Sequence, residues 1–561
     1  MYLSRIISAA ALLFTHSTLA DVLLITNATD FIALADIDKG FPSQNFRSSD
    51  VIAPVFLVNK WEQDQVDNAP FIFLGTVYGE NKAGPMIFDA CDMSLVYADQ
   101  KYENTYTSNV HFINGTRYFA FWEGGHTRGH ANGNCLFFDE NYNLKYNVTA
   151  QGLNDARADM HELSVTTNGT IIFSTYFNIP FDCRPVGGPE NALLMDSGFQ
   201  EVDPATNEQT HDGNYLVSSR HLSILTLVDG KDGHPIWILG GRQNQFTDLS
   251  NGAATNFSWQ HDARIIPSSS NITDEIHITL FDNHGEYSGP CQDKCETRAL
   301  RIAVNQVLHT ARVVNQFFHP ESIDSGAMGG YQTLDSGNVM TGWGYYPGFV
   351  EYTSDGTPVM DFQRGIIGGE PLPDMFAYRV NKGDWKGSPS WPPSVAADAP
   401  NNSTLNATVY VSWNGATEVA SWAIFASNNH STINSYTNLI AEFPRHGFET
   451  AIPLTSTNVT RRYVGAAAVS SSGDVLGSTI VIDLQNEGKP ATVTSGIVTL
   501  KPPSPSTSRD QGTSTSTFGV MGGSIFGVAG IFYAGTYYWR RRARAGRGHR
   551  EEGYRMVNMR D

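Results

Sequence analysis

The chain is poor in basic charge and in cysteine. Its 561 residues carry 37 lysines and arginines against 56 acidic residues, a formal charge of −19, which argues against wrapping a polyphosphate such as DNA. Five cysteines, Cys91, Cys135, Cys183, Cys291 and Cys295, have no paired metal-ligand spacing, so a structural zinc site is not expected. There is no Gly-x-x-x-x-Gly-Lys-Ser/Thr phosphate loop, no Gly-x-Ser-x-Gly elbow and no His-Glu-x-x-His pair. Those absences remove a P-loop nucleotide site, the commonest serine hydrolase and the zinc proteases, and no cofactor is implied. The acidic turn Asp229-Gly-Lys-Asp232-Gly offers calcium-type oxygens, but Asp and Gly also serve turn geometry.

Long apolar runs are scarce, and the two present lie at the ends. Arg5, the run Ile6 to Phe14 and then Thr18-Leu19-Ala20 read as a cleaved secretory signal over residues 1–20. Phe518 to Trp539 has no charge and is followed by RRRARAGRGHR, which predicts one transmembrane helix at 517–539 and a basic cytosolic tail at 540–561. The acidic body then lies lumenal or extracellular, a single-pass type I arrangement in the secretory pathway or plasma membrane. Gly519, Gly523 and Gly527 recur every fourth residue, a spacing that permits a weak helix-mediated dimer. Asn-x-Ser/Thr acceptors spread from Asn27 to Asn458 and are missing from the tail, which fits a glycosylated lumenal body. In an oxidising compartment Cys291 and Cys295 form a plausible local disulfide, and an odd number of thiols leaves one unpaired.

Between these ends, 41% apolar and 11% aromatic residues suffice for packed cores. Residues 21–395 alternate short β-branched and aromatic runs with Gly, Asn and Asp turns, an all-β pattern. One segment type, as in VTTNGTIIFSTY and YQTLDSGNVMTGWG, alternates with another that ends in an acidic turn, as in MIFDACDMSLVY and CLFFDENYNLKY. Paired hairpins repeating at roughly 40 to 50 residues predict a β-propeller, since four strands cannot bury both faces without neighbouring blades. A large sandwich or jelly roll is the competing fold. Residues 400–485 read as an immunoglobulin- or fibronectin-like sandwich. The Pro/Ser/Thr-rich stretch 486–516 reads as a stalk.

Trp259-Gln260-His261-Asp262-Ala263-Arg264, then Ile278-Thr279-Leu280-Phe281-Asp282-Asn283, resemble the arylsulfotransferase family, specifically its fungal branch. Other segments agree with it: Phe121-Trp122-Glu123-Gly124, Asp159-Met160-His161-Glu162, Gly188-Pro189-Glu190, Ser218-Ser219-Arg220-His221, Arg298-Ala299-Leu300 and Ser412-Trp413-Asn414-Gly415. The resemblance implies a six-bladed propeller that moves a sulfuryl group between phenols through a sulfated histidine, without a nucleotide donor. Phenols and aryl sulfates would be the small-molecule partners.

Neutral imidazole suits that chemistry as a nucleophile, and guanidinium forks suit the sulfuryl oxygens. His161, His221 and His261 are the candidate imidazoles, His261 foremost, with Arg220, Arg264 and Arg298 as anion holders. Trp122, Trp259 and Trp343 are candidates for stacking on an aryl group. The plainer readings are that each histidine hydrogen-bonds the next sheet, that Arg264 pairs with an acidic turn, and that the tryptophans are core. His319, in FFHP, is a poor candidate.

The sequence departs from the family at one point. Relatives carry a strand with a His-x-Asn motif just before the segment matched here by Asp212-Gly213-Asn214-Tyr215. Here Glu201 to Thr210 runs straight into that segment, so one blade is expected to lack a strand and its imidazole. The bacterial sulfated histidine has no assignable counterpart from the motifs alone. If the strand is truly missing, the alternative is a non-catalytic surface propeller binding an aromatic, carbohydrate or protein ligand.

Overall fold

In the computed structural model the described residues are 21–501 and 554–559, apart from 22–23, 38–39, 78–82, 103, 128, 154–155, 212, 267–273, 292, 367–375, 405 and 458–460. The expected signal and transmembrane segments lie outside them. Among the described residues no helix is long and apolar enough to cross a membrane.

The fold is almost entirely β. Among the described residues one α-helix, α1 (Ala28–Ile37), precedes β1 (Leu57–Trp61); Asn27 accepts the Thr29 N–H at 2.8 Å and so caps its start. Six mainly antiparallel groups of strands, here numbered as sheets, follow in chain order, the second and third continuous as one eight-stranded sheet. The first holds β2 (Phe71–Val77), β3 (Gly84–Asp89) and β4 (Leu95–Ala98). The second holds β5 (Thr105–Ile113), β6 (Thr116–Thr127), β7 (His130–Phe138) and β8 (Leu144–Val148). β9 (Ala158–Val165), β10 (Ile171–Phe181), β11 (Ala192–Val202) and β12 (Gln209–Thr210) make the third, joined to the second by the pair Ala158↔Gly133.

The fourth sheet is shorter, with β13 (Asn214–Ser219), β14 (Ile224–Val228) and β15 (Pro235–Gly240). The fifth comprises β16 (His261–Ile266), β17 (Glu275–Asp282), β18 (Arg298–Asn305) and β19 (Thr310–Phe317). β20 (Gly330–Thr333), β21 (Val339–Gly342), β22 (Gly348–Tyr352) and β23 (Pro358–Gln363) form the sixth. Chain ends interlock the set: β1 pairs with β23, and β24 (Phe376–Gly383) returns to pair with β2. Lys382 on β24 and Glu351 on β22 form a fully buried ion pair at 2.8 Å, which ties the first sheet to the sixth.

Neighbouring sheets share cores, because a single twisted sheet leaves two apolar faces to cover. Phe88, Phe349 and Phe362 pack in one cluster, and Leu225, Trp237, Ile278 and Leu300 in another. Trp122 and Trp343 are fully buried, with indole N–H groups donated to Ala158 O and Thr341 Oγ1 at 2.9 Å each. Both belong to the core and are not aryl-stacking groups; truncating such a side chain to alanine costs roughly 3–5 kcal/mol.

β25 (Ser394–Asp398), β26 (Thr408–Ser412) and β29 (Glu449–Pro453) form one sheet of the C-terminal unit. The other sheet contains β27 (Ser421–Ser427), β28 (Leu439–Pro444), β30 (Tyr463–Val469), β31 (Val475–Ser478), β32 (Val481–Asp483) and β33 (Lys489–Thr492). The two pack face to face through Val409, Val411 and Ile452 against Trp422, Ile424 and Val464. This unit runs beyond residue 485, into the stretch expected as stalk: β33 pairs with β32, and Ile497 is buried. Two or three well-placed apolar side chains suffice to hold that Thr-rich backbone against the sheet.

Cys291 and Cys295 are disulfide-bonded, as their spacing suggested. Three thiols rather than one are free: exposed Cys91, buried Cys135 and half-buried Cys183.

The fourth sheet is the irregular one. Among the described residues no strand separates β12 from β13. The edge of β13 pairs instead with β34 (Tyr554–Met559), in parallel, from Asn214↔Tyr554 to Ser219↔Met559. The first strands of the sheets adjoin one another in turn: β24 beside β5, β5 beside β9, β9 beside β34, β34 beside β16, β16 beside β20 and β20 beside β24.

Candidate functional site

Four of those inner strands break register: between Tyr106 and Asn109 on β5, Ala158 and Leu163 on β9, His261 and Arg264 on β16, and Ala377 and Val380 on β24. A bulge turns side chains out of strict alternation, so neighbouring residues can aim at a common point. Three of these breaks carry His161, His261 and Tyr378. Asp262 has a φ of 50°, a left-handed backbone that places its side chain away from that of His261.

His161 is buried and backed by a carboxylate. Asp159, fully buried, lies 2.5 Å from His161 Nδ1 through Oδ1. The same oxygen accepts the His161 backbone N–H and the Ser174 hydroxyl, each at 3.0 Å, while Oδ2 accepts the Ala131 N–H at 2.7 Å. Burial pushes the Asp159 carboxyl up, but the His161 ring and these donors together outweigh it and hold the carboxyl below its usual value. His161 Nδ1 is therefore the donor, and Nε2 carries the lone pair when the ring is neutral.

His261 has the same tautomer from a different partner. Asn283 Nδ2 donates to Ser325 O at 2.7 Å and Met328 O at 3.0 Å, so its Oδ1 is fixed as the acceptor facing His261 Nδ1 at 2.7 Å. His261 Nε2 keeps its lone pair, on which the Met328 N–H rests at 3.2 Å. Burial, then the Arg220 charge, hold this imidazole well below its ordinary value, against the Asn283 bond; His161 and Arg379 add to the effect. It is neutral at neutral pH.

Tyr378 stands between the two. Its ring centroid is 6.0 Å from that of His161 and 6.3 Å from that of His261, and its hydroxyl donates to His161 O at 3.4 Å. Tyr176 closes the other side of His161 at 6.0 Å. The Arg220 guanidinium lies 4.0 Å over the Trp259 ring and donates to Gly326 O at 3.4 Å. Burial pulls Arg220 down to about 10, with Glu286 opposing. Trp259 is thus half-buried beside the site, unlike Trp122 and Trp343. His221 meets the edge of Trp259 at 4.9 Å but is itself exposed.

Two of the expected arginines serve elsewhere. Arg264 spans Glu162 at 2.9 and 3.2 Å and Asp262 at 3.0 Å, and Arg379 reaches Glu162 at 3.2 Å and Asp262 at 3.1 Å. Two guanidiniums and two carboxylates so form a closed tetrad behind the histidines, and Arg264 is a supporting group. Arg298 pairs with Asp282 at 3.0 Å, Gln316 at 2.8 Å and Ala253 O at 3.0 Å. It lines a different cavity, with His284 and Lys294, and does not join the His161–His261 group. His319 is enclosed by Trp343 and Tyr346, and burial takes it down to about 3.

The family profile of arylsulfotransferase (ASST) matches residues 110–211 and 208–365. Residues 110–365 form an arylsulfotransferase-family domain. The match is split at residues 208–211, where β12 passes directly to β13, and this arylsulfotransferase-family domain includes His161, Arg220 and His261. Tyr378 and Arg379 lie just past it. No curated protein matches the chain.

Solved structures show only loose likeness. A protein of unknown function from Bacteroides caccae has a TM-score of 0.31 at 12% identity, covering 55% of this chain and 97% of its own. Apo AztD from Citrobacter koseri has 0.23 at 11%, covering 56% and 98%. An exo-beta-1,3-galactanase from Phanerochaete chrysosporium has 0.25 at 8%, covering 68% and 92%. Scores of this size carry no argument about the arylsulfotransferase-family domain.

Sequence reasoning missed Tyr378 and Arg379, which sit in the mostly apolar segment MFAYRV beyond the motifs that carried the resemblance. Asp159 and Asn283 were inside quoted motifs, but their partnership with the histidines is set by bulges and strand register.

Proposed function

We propose that this protein is a membrane-anchored arylsulfotransferase whose six sheets are the blades of a propeller, followed by an immunoglobulin-like sandwich. The adjoining strands β16, β20, β24, β5 and β9 support the propeller reading, and the sequence of the C-terminal span supports the anchor. His261 Nε2 attacks the sulfur of an aryl sulfate, forming an N–S bond as the S–O bond to the aryl group breaks. The departing phenolate takes the Nε2 proton of His161, which enters the cycle as the imidazolium paired with Asp159 and is left neutral. An acceptor phenol then gives its proton back to His161 and attacks sulfur; the N–S bond breaks and His261 returns neutral. Arg220 faces the sulfuryl oxygens and Trp259 the ring, while His221, Arg264 and Arg298 take no direct part.

The observation that carries this reading is the pair of Nδ1-locked imidazoles on either side of Tyr378. Purified full-length protein in detergent should move sulfate from a chromogenic aryl sulfate to a phenol with ping-pong kinetics. His261→Ala should abolish the transfer; activity untouched by it would remove His261 from the mechanism. A second reading, a non-catalytic surface propeller for an aromatic, carbohydrate or protein ligand, is favoured by the fourth sheet, which has no strand of its own between β12 and β13. Absence of any transfer, with saturable binding of a phenol, would select it.

A further inference from the structure

The third sheet does not stop where its inner strand stops. β10 pairs with β9 no further than Thr175↔Ala158, at the end of β9 that carries His161. β10 and β11 then run on together for six more pairs, from Tyr176↔Ser197 to Phe181↔Ala192. Among the described residues this ribbon has no third strand beside it. Its tip is closed by Cys183, whose N–H donates to Pro189 O at 3.0 Å and whose carbonyl accepts the Gly188 N–H at 2.9 Å. Arg184 holds Asp182 there at 2.6 Å.

Successive residues of a strand face opposite ways, so the unbroken register puts Tyr176, Asn178 and Pro180 on one face, with Ser197, Met195 and Leu193 across from them. That face begins at the site. Tyr176 closes one side of His161 at 6.0 Å, and His130 of the second sheet meets the same tyrosine at 5.9 Å. From there the face continues outward as an apolar surface in water: Leu193 is 70% exposed and Met195 43%. Between Tyr176 and Pro180 it is about 14 Å long at the usual strand rise. A two-stranded ribbon gains little stability by itself, and its apolar side chains contribute nothing until something covers them. A molecule held by its oxygen at His161 reaches them along Tyr176.

We propose that this face is the acceptor wall beside His161, and that it selects phenols with an extended apolar substituent over phenol itself. The proposal rests on the sulfuryl-transfer reading of His161 and His261. With the phenolic oxygen at His161 and the ring beside Tyr176, a para substituent runs along Met195 and then Pro180 and Leu193. The opposite face carries Phe177, Ile179 and Phe181 with Asp196, Leu194 and Ala192; it faces away from His161 and is no part of the wall. A wall covers one side of a chain and so recovers about half of the transfer energy of each methylene. Affinity then rises about two-fold per CH₂, where full burial would give about four-fold.

The test uses full-length protein in detergent and the series 4-methylphenol to 4-pentylphenol, with Kd read by calorimetry and transfer read from a chromogenic aryl sulfate. Wild type should bind about two-fold more tightly for each added CH₂, about 16-fold across the series, and the acceptor KM should fall in step while kcat changes little. Leu193→Ser/Met195→Ser should flatten that dependence. Phe181→Ser/Leu194→Ser, on the opposite and also exposed face, should keep it. Detergent takes up each phenol alike in all three samples, so partition cancels in the comparison. Equal slopes in wild type and Leu193→Ser/Met195→Ser, or the same flattening by the opposite-face pair, would overturn the proposal. So would a wild-type dimer that Leu193→Ser/Met195→Ser splits, since a second copy would then close the face. Length-dependent binding without transfer would remove the sulfuryl-transfer reading and leave the wall; transfer without length dependence would do the reverse.

Discussion

Asp159 Oδ1 stands 2.5 Å from His161 Nδ1, with no water-sized gap between a fully buried carboxylate and the imidazole it orients. The carboxylate fixes the tautomer and, in the proposed cycle, would stabilise the imidazolium form of the ring. Asp159→Asn should lower kcat for aryl sulfate transfer by about 10²–10⁴-fold with a small change in KM. Loss of binding alone, with kcat intact, would count against this role.

In the proposed cycle His261 and His161 have different fates. Rapid quenching of wild-type protein with donor alone should leave sulfonate on His261, read by peptide mass spectrometry. His161→Ala should still accumulate it when the leaving phenol is acidic, because such a phenolate needs no proton. Label on another residue would reassign the nucleophile.

Glu162 neutralises Arg264 and Arg379 from a site with no solvent access. Glu162→Gln leaves two guanidiniums facing Asp262 alone and should cost about 3–5 kcal/mol of stability, measured by urea denaturation. Asp262→Asn in the same background should not add its full single-variant effect, since the residues share one network. Full additivity would show that the tetrad is not a unit.

His319 is neutral in the fold and titrates at about 3, whereas the unfolded chain takes up its proton near 6.5. Its contribution is fully present above pH 6.5 and is lost as pH falls toward the folded value. Between pH 6 and 4, His319→Gln should flatten the stability curve by about 1.4 kcal/mol per pH unit relative to wild type. Parallel curves for the two proteins would contradict this.

Much of the architecture was legible because hairpins announce themselves locally. NGT and DSGN turns between alternating runs located strands such as β9–β10 and β20–β21. α1 escaped notice because ATDFIALADI has little amphipathic contrast, and its start depends on a single Asn27 cap. His161 and His261 were found from motifs; Arg298 was misjudged because its partner Asp282 faces it across strand register, which composition does not reveal. Tyr378 became visible only once β24 was seen to close the first sheet and bulge at Ala377.

The union of β13 with β34 makes residency and completeness alternatives for one molecule. If residues 517–539 span a bilayer as proposed, Tyr554–Met559 would lie beyond it and the backbone edge of β13 would be left for another extended segment to cover.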